Sequence, residues 1–218
     1  MERVIETTED GSVTLFVPEL NEHYHSTKGA RTESEHIFIR MGLQSSIAIA
    51  PRILEIGLGT GLNAFLTFEE AEKNQRKVFY TGIELYPLNW EMVEPLGYHG
   101  LSPLLKVIHT SPWEVETVLS PYFTIHKIQA DANQWLAAYS GSCFDLVYFD
   151  AFAPEKQPEM WSQELFNRLY VLLNRGGILT TYCAKGMVRR MLQTAGFIVE
   201  RLPGPPGGKR EILRAMRP

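Results

Sequence analysis

Glu55-Ile56-Gly57-Leu58-Gly59-Thr60-Gly61-Leu62-Asn63 stands between an apolar run, ILEIG, and a segment of helical periodicity that begins at Leu62. Glycines at a strand-to-helix junction permit a tight turn and let the backbone approach a ligand closely. The same glycines can also serve tight packing alone. A dinucleotide fingerprint needs G-x-G-x-x-G, but here the third glycine falls one position early and Leu62 takes the fingerprint's place. The spacing favours S-adenosylmethionine, which has no pyrophosphate to seat on the helix end. That ligand brings an amino acid moiety and a sulfonium cation, so an acidic residue ahead of the glycines, Glu55, is chemically sensible.

Outward from this loop, VFYTGIEL (78–85), FTIHKIQ (123–129), FDLVYFD (144–150) and GGILTTYC (176–183) are short apolar or β-rich runs. Helical periodicity fills Leu62 to Lys73, Asn133 to Tyr139 and Trp161 to Leu173. Such alternation specifies crossover units and a mostly parallel sheet covered on both faces. FIVERL and REILRAM are separated by PGPPGGK, too short for a helical crossover, so these last strands are expected to pair antiparallel. The fold class is therefore α/β, with the parallel sheet and C-terminal antiparallel hairpin of Rossmann-like class I methyltransferases. Before it, RVIETT, Asp10-Gly11 and SVTLFV predict a small hairpin, and Thr32 to Leu43 predicts a helix with Thr32 as its cap. The expected division is an N-terminal extension over 1–50 and a cofactor-binding domain over 51–218.

A chain of 218 residues with 44% hydrophobic content can bury one ordinary domain and an extension. Cys143 and Cys183 are far apart and form no metal-type spacing, so they read as buried thiols and no metal is expected. The N-terminus is acidic and polar, no apolar run approaches membrane-spanning length, and a cytoplasmic protein is expected. A net charge of −4 argues against a general nucleic-acid coat, yet eight of the 21 basic residues lie from Lys185 onward, against Glu200 and Glu211 alone. That basic end is either a solvated face or a phosphate-binding surface.

Three further carboxylates fall at predicted strand ends. Glu84 closes IEL, where a carboxylate can accept both ribose hydroxyls, the role an acid plays about 20 residues past the glycines in dinucleotide folds. Asp131, followed by Ala132, is placed to meet an adenine amino group. Each alone could be an ordinary helix cap or solvated carboxylate. Asp150 ends a very apolar strand and is followed by Phe152 and Pro154. Ligands of open α/β sheets bind beyond the carboxyl ends of the strands, so Asp150 should face the crevice of the glycine loop. An acid, an aromatic and prolines in this order are similar to the DPPY-type loop of amino methyltransferases, although a strand-terminating turn with Asp150 as a cap would look alike. Positioning would be its main effect, because in-line transfer needs the nitrogen about 3 to 3.5 Å from the methyl carbon. An alkylamine resembles lysine, with a pKa near 10.4, so about one molecule in a few thousand is neutral at pH 7. A carboxylate nearby worsens that fraction, which casts Asp150 as an orienting acceptor rather than a strong base.

The chain resembles the methyltransferase domain of the bifunctional tRNA 5-methylaminomethyl-2-thiouridine biosynthesis family MnmC and its stand-alone form MnmD. The resemblance rests on LEIGLGTGLNAF, YTGIELYPL, the block from DLVYFDAFAPEKQPEMW to MLQTAGF, and KREIL. It implies methyl transfer from S-adenosylmethionine to the aminomethyl nitrogen of a wobble uridine in tRNA. By matched position it implies Glu55, Gly57, Gly59, Gly61, Asn63, Glu84, Asp131 and Ala132 as cofactor residues, with Asp150 and Phe152 facing the amine. Tyr24 and GARTESEHIFI are similar to the family's N-terminal region, expected to cover the cofactor, though a packed loop and helix would serve equally. The basic end then becomes a tRNA surface, with Lys185, Arg189, Arg190, Lys209 and Arg210 as its contacts. A flavin oxidoreductase half has no room in 218 residues, so a separate upstream enzyme is expected.

Two rival functions share these features. An aminopropyltransferase of the spermidine synthase type has a D-x-x-D-P loop, but Ala153 replaces the second acid here. A non-catalytic tRNA-binding module would retain the fold without needing the glycine loop and Asp150.

Overall fold

The computed structural model describes residues 2–7, 13–24, 29–96 and 102–218. Near the N-terminus β1 (Val4–Thr7) pairs antiparallel with β2 (Val13–Val17), which pairs with the short β3 (Glu22–His23). The expected hairpin is present, while its Asp10-Gly11 turn lies outside the described residues.

Eight strands form the main sheet: β4 (Arg52–Ile56), β5 (Val78–Glu84), β6 (Glu116–Ser120), β7 (Phe123–Gln129), β8 (Phe144–Phe149), β9 (Leu173–Thr181), β10 (Ile198–Pro203) and β11 (Glu211–Met216). Their order is β10-β11-β9-β8-β4-β5-β7-β6. From β9 through β7 all neighbours are parallel. β11 runs antiparallel to both β9 and β10, and β6 antiparallel to β7. This is the Rossmann-like arrangement expected, with β6 an added edge strand.

Central strands buried on both faces explain the near-continuous apolar runs. Successive side chains alternate between two cores: Ile53, Leu146 and Tyr148 pack on one face, Leu54, Val147 and Phe149 on the other. The first core is covered by α2 (Leu62–Asn74), α4 (Ser102–Thr110) and the N-terminal segment; the second by α5 (Ala132–Ala138), α6 (Gln163–Leu172) and α7 (Gly186–Ala195). A short α3 (Trp90–Val93) lies between β5 and α4.

The helix expected from Thr32 with Thr32 as cap differs. α1 (Ala30–Ser34) starts after Gly29, whose φ of 144° suits a residue without a side chain, so Thr32 lies inside it. It passes directly into a π-helical segment, Glu35–Arg40, which buries Ile37, Phe38 and Ile39. The expected helix over Trp161 to Leu173 is shorter, because Ser162 Oγ accepts from Leu165 N and fixes the start at Gln163. Cys183 is buried, but Cys143, one residue outside β8, is only half-buried. Among the described residues no helix is long and apolar enough to cross a membrane, and no cluster of potential metal ligands occurs.

Candidate active site

The chain leaves β4 for β5 on one side, and β8 continues to β9 on the other, so a crevice opens where β4 and β8 end. A cleft of about 910 Å³ occupies it. The glycine loop forms its floor. Gly57 and Leu58 both donate to the Ile83 carbonyl at 3.0 Å, which ties the turn to β5. Gly57 has φ 89°, and a Cβ there would lie 2.7 Å from the Asp150 carbonyl oxygen. The turn is supported from behind: His109 Nε2 donates to the Thr60 carbonyl at 2.7 Å, and Lys127 Nζ to the His109 carbonyl at 2.7 Å. Burial lowers the Lys127 pKa to about 8.

Glu84 stands at the end of β5, as expected from sequence. Its two oxygens accept from Gly59 N at 3.0 Å and Tyr86 N at 2.9 Å, which leaves each oxygen a further lone pair. Asp131 caps α5 through Gln134 N at 3.0 Å while lining the cleft, so the cap and the ligand role are compatible. Tyr24, next to β3, lies across the loop. Its ring is the nearest neighbour a Cβ at Gly59 would meet, at 3.1 Å, and its hydroxyl accepts from Arg3 Nε at 3.1 Å. Burial, then the Glu84 charge, raise the Tyr24 pKa.

Glu55 is placed differently from the sequence expectation. It is fully buried and does not line the cleft. Its side chain enters the first core, where Oε2 accepts from the Tyr80 hydroxyl at 2.7 Å and Oε1 from Asn63 Nδ2 at 2.8 Å. Burial pushes its carboxyl well above the usual range, against the pull of these two hydrogen bonds. Glu55 therefore reaches the cleft only through Asn63. That amide, 3% exposed, also donates to Asp150 Oδ2 at 2.8 Å. With both Nδ2 hydrogens committed to carboxylates, Asn63 Oδ1 is left buried with no hydrogen-bond partner among the described residues.

Asp150 is set into the cleft wall beyond β8. Its pKa is pushed up to about 7, chiefly by burial; the Asn63 hydrogen bond opposes this, Glu33 adds to it and Lys209 offsets it. The loop that follows is held at two carbonyls. Trp161 Nε1 donates to Phe152 O at 2.7 Å, and the Tyr182 hydroxyl to Ala151 O at 2.8 Å. The Phe152 ring meets the Tyr24 ring edge-on, with centroids 5.2 Å apart. The glycine loop and the Asp150 loop thus share one space.

The five basic candidates separate. Lys185, Lys209 and Arg210 line the cleft, whereas Arg189 and Arg190 on α7 do not. Arg189 is half-buried, and its Nε is buried with no hydrogen-bond partner among the described residues. Lys185 pairs with Glu155, and Lys209 with Glu33. Sequence reasoning assigned no role to Glu33, Trp161, Tyr182 or His109. The relevance of each arises from through-space contacts that spacing along the chain does not encode.

A glycine turn with positive φ, a strand-end carboxylate with unused lone pairs and a buried amide oxygen suit a nucleoside that carries an amino acid. Comparison with known proteins agrees. The tRNA 5-methylaminomethyl-2-thiouridine biosynthesis bifunctional protein MnmC of Cupriavidus necator is 30% identical over 217 residues, covering 93% of this chain and 33% of that protein. The MnmC of Cupriavidus metallidurans is 31% identical, covering 99% and 34%. The chain thus spans about a third of the length of these relatives. The crystal structure of MnmC2 from Aquifex aeolicus superposes with a TM-score of 0.83 at 25% identity, over 100% of this chain and 72% of that one. Spermidine synthase from Thermotoga maritima, TM-score 0.65 at 13% identity over 99% of this chain and 69% of that one, shares the fold. A family model described as S-adenosyl-L-methionine-dependent methyltransferase matches residues 104–218, more than half the chain, and the protein belongs to that family.

Proposed function

We propose that this enzyme methylates the aminomethyl nitrogen of 5-aminomethyl-(2-thio)uridine at the wobble position of tRNA. The observation that carries this reading is Asp150, hydrogen-bonded to Asn63 of the glycine-loop helix and opening into the same cleft as Glu84. The names of the Cupriavidus relatives supply the substrate class. When bound, S-adenosylmethionine supplies the methyl group on its sulfonium.

In this reading Glu84 accepts the ribose hydroxyls, Asp131 and Ala132 meet the adenine, and Gly57, Gly59 and Gly61 let the backbone pass close to the ligand. Tyr24 covers that end, and Glu55 acts by fixing Asn63. Residues 1–50 form the covering extension and 51–218 the methyltransferase domain. Asp150 and Phe152 receive the amine. With a pKa of about 7, Asp150 is a better proton acceptor than an ordinary aspartate, whose affinity lies some three units lower. It can orient the amine and take the proton of its ammonium form as burial disfavours that charge. Lys185, Lys209 and Arg210 at the cleft rim offer phosphate contacts, with Arg189 and Arg190 further along the same basic end. A flavin oxidoreductase activity acting upstream and a cytoplasmic setting fit this chemistry.

The deciding experiment incubates the protein with methyl-labelled S-adenosylmethionine and bulk tRNA from cells lacking the modification, followed by nucleoside analysis. Label is expected in a methylaminomethyl uridine. Label elsewhere, or none, refutes the assignment.

A further inference from the structure

In the loop after β8, Ala153 stands where an aminopropyltransferase-type loop carries a second acid. The fold brings another carboxylate to this cleft from more than a hundred residues away. Glu33 of α1 lines it with 12% of its side chain exposed. Its negative charge acts on both Asp150 and Tyr182. Glu33 Oε1 accepts from Lys209 Nζ at 2.6 Å, and the same ammonium lies 4.5 Å from the centroid of the Tyr182 ring. A carboxylate on one side and an aromatic face on the other is the chemistry that recognises an alkylammonium group.

Lys209 comes from the Gly/Pro turn between β10 and β11. Gly204 N donates to the Arg210 carbonyl at 3.0 Å and closes that turn. His36 Nε2 donates to the Pro203 carbonyl at 2.8 Å and fastens the turn's base to the π-helical segment beyond Glu33. Lys209 itself is 41% exposed and held at its tip, so it can swing away while the base stays fixed.

We propose that Glu33 and the face of Tyr182 join Asp150 in forming the subsite for the acceptor's primary ammonium group, and that Lys209 occupies this subsite until the acceptor displaces it. The proposal rests on the reading that the Asp150 end of the cleft receives an aminomethyl group. Exchange of one ammonium for another keeps the charge of the pocket constant. The displaced Lys209 then becomes available to a phosphate at the rim.

The test is calorimetric titration with the nucleoside 5-aminomethyluridine, which carries the amine but no phosphate, with S-adenosylhomocysteine present so that no turnover occurs. Uridine serves as the control without an amine. Lys209→Met is expected to bind the nucleoside roughly three- to tenfold more tightly than the parent, the scale of one exposed ion pair plus one cation–π contact. Glu33→Gln should weaken binding by a similar factor, and uridine should show no difference between forms. Unchanged S-adenosylhomocysteine affinity in each variant verifies folding. Equal or weaker nucleoside binding by Lys209→Met, no loss in Glu33→Gln, or no measurable binding to any form overturns the subsite. Methyl transfer to tRNA by the parent reads the functional assignment separately: its absence alongside the expected titration pattern would leave an ammonium subsite for a different acceptor.

Discussion

Replacing Asp150 by Asn should stabilise the protein while disabling it, and the gain should depend on pH. Asparagine keeps an oxygen able to accept from Asn63 Nδ2, now 2.8 Å from Asp150 Oδ2, but removes the charge. The carboxyl's pKa rises from 3.8 to about 7 on folding, mainly through burial. Because the folded state binds the proton more tightly, parent stability falls as pH rises through this window and levels off above pH 7. Three units at about 1.4 kcal/mol each bound the effect near 4 kcal/mol, and partial exposure reduces the expectation to about 2 kcal/mol. For a chain of this size that is roughly 4–8 °C in Tm. Thermal unfolding of parent and Asp150→Asn from pH 4 to 9 should give curves that coincide near pH 4 and separate up to about pH 7. Methyl transfer should fall by about two orders of magnitude in the variant, the scale of a lost positioning contact. In the parent, kcat/KM should rise with pH through about 7. A stability difference that does not vary with pH would show that burial does not raise the Asp150 pKa, and the proton-acceptor role would fall with it.

Gly57→Ala should abolish measurable S-adenosylmethionine binding and lower stability, since its Cβ would lie 2.7 Å from the Asp150 carbonyl at a φ of 89°; calorimetry with near-parent affinity would contradict the tight-turn argument. The parent should bind S-adenosylmethionine and its demethylated product but not NAD, and equal NAD affinity in the same titration would contradict the glycine-spacing argument. Lys185→Glu with Arg210→Glu should weaken tRNA binding and flatten its salt dependence by a slope of about 0.9 or less per lost contact. Arg189→Glu with Arg190→Glu, away from the cleft lining, should change that slope less, and the reverse ranking in filter-binding titrations would move the RNA surface onto α7.

Strand and helix alternation, the antiparallel C-terminal pair and the positions of Glu84, Asp131 and Asp150 at strand ends were legible in the sequence, because each is set by local patterning. Apolar runs at β4 and β8 require burial on both faces, and Gly57, Gly59 and Gly61 require a turn that a side chain would block. Local patterning also misled: Glu55 precedes the glycines as a ligand residue would, yet the alternation along β4 turns it into the core, where Tyr80 and Asn63 hold it. Thr32 looked like a cap because its type favours one, while Gly29 set the helix start through backbone geometry. What the tertiary structure alone decided is which distant residues meet. Glu33 reaches Lys209 across 176 positions and Asn63 reaches Asp150 across 87, contacts created by sheet order and loop closure rather than by any spacing along the chain. Charge counting placed eight cations in the last part of the sequence, but only the fold separates Lys185, Lys209 and Arg210 at the cleft from Arg189 and Arg190, because a helix and a hairpin turn project neighbouring stretches in different directions.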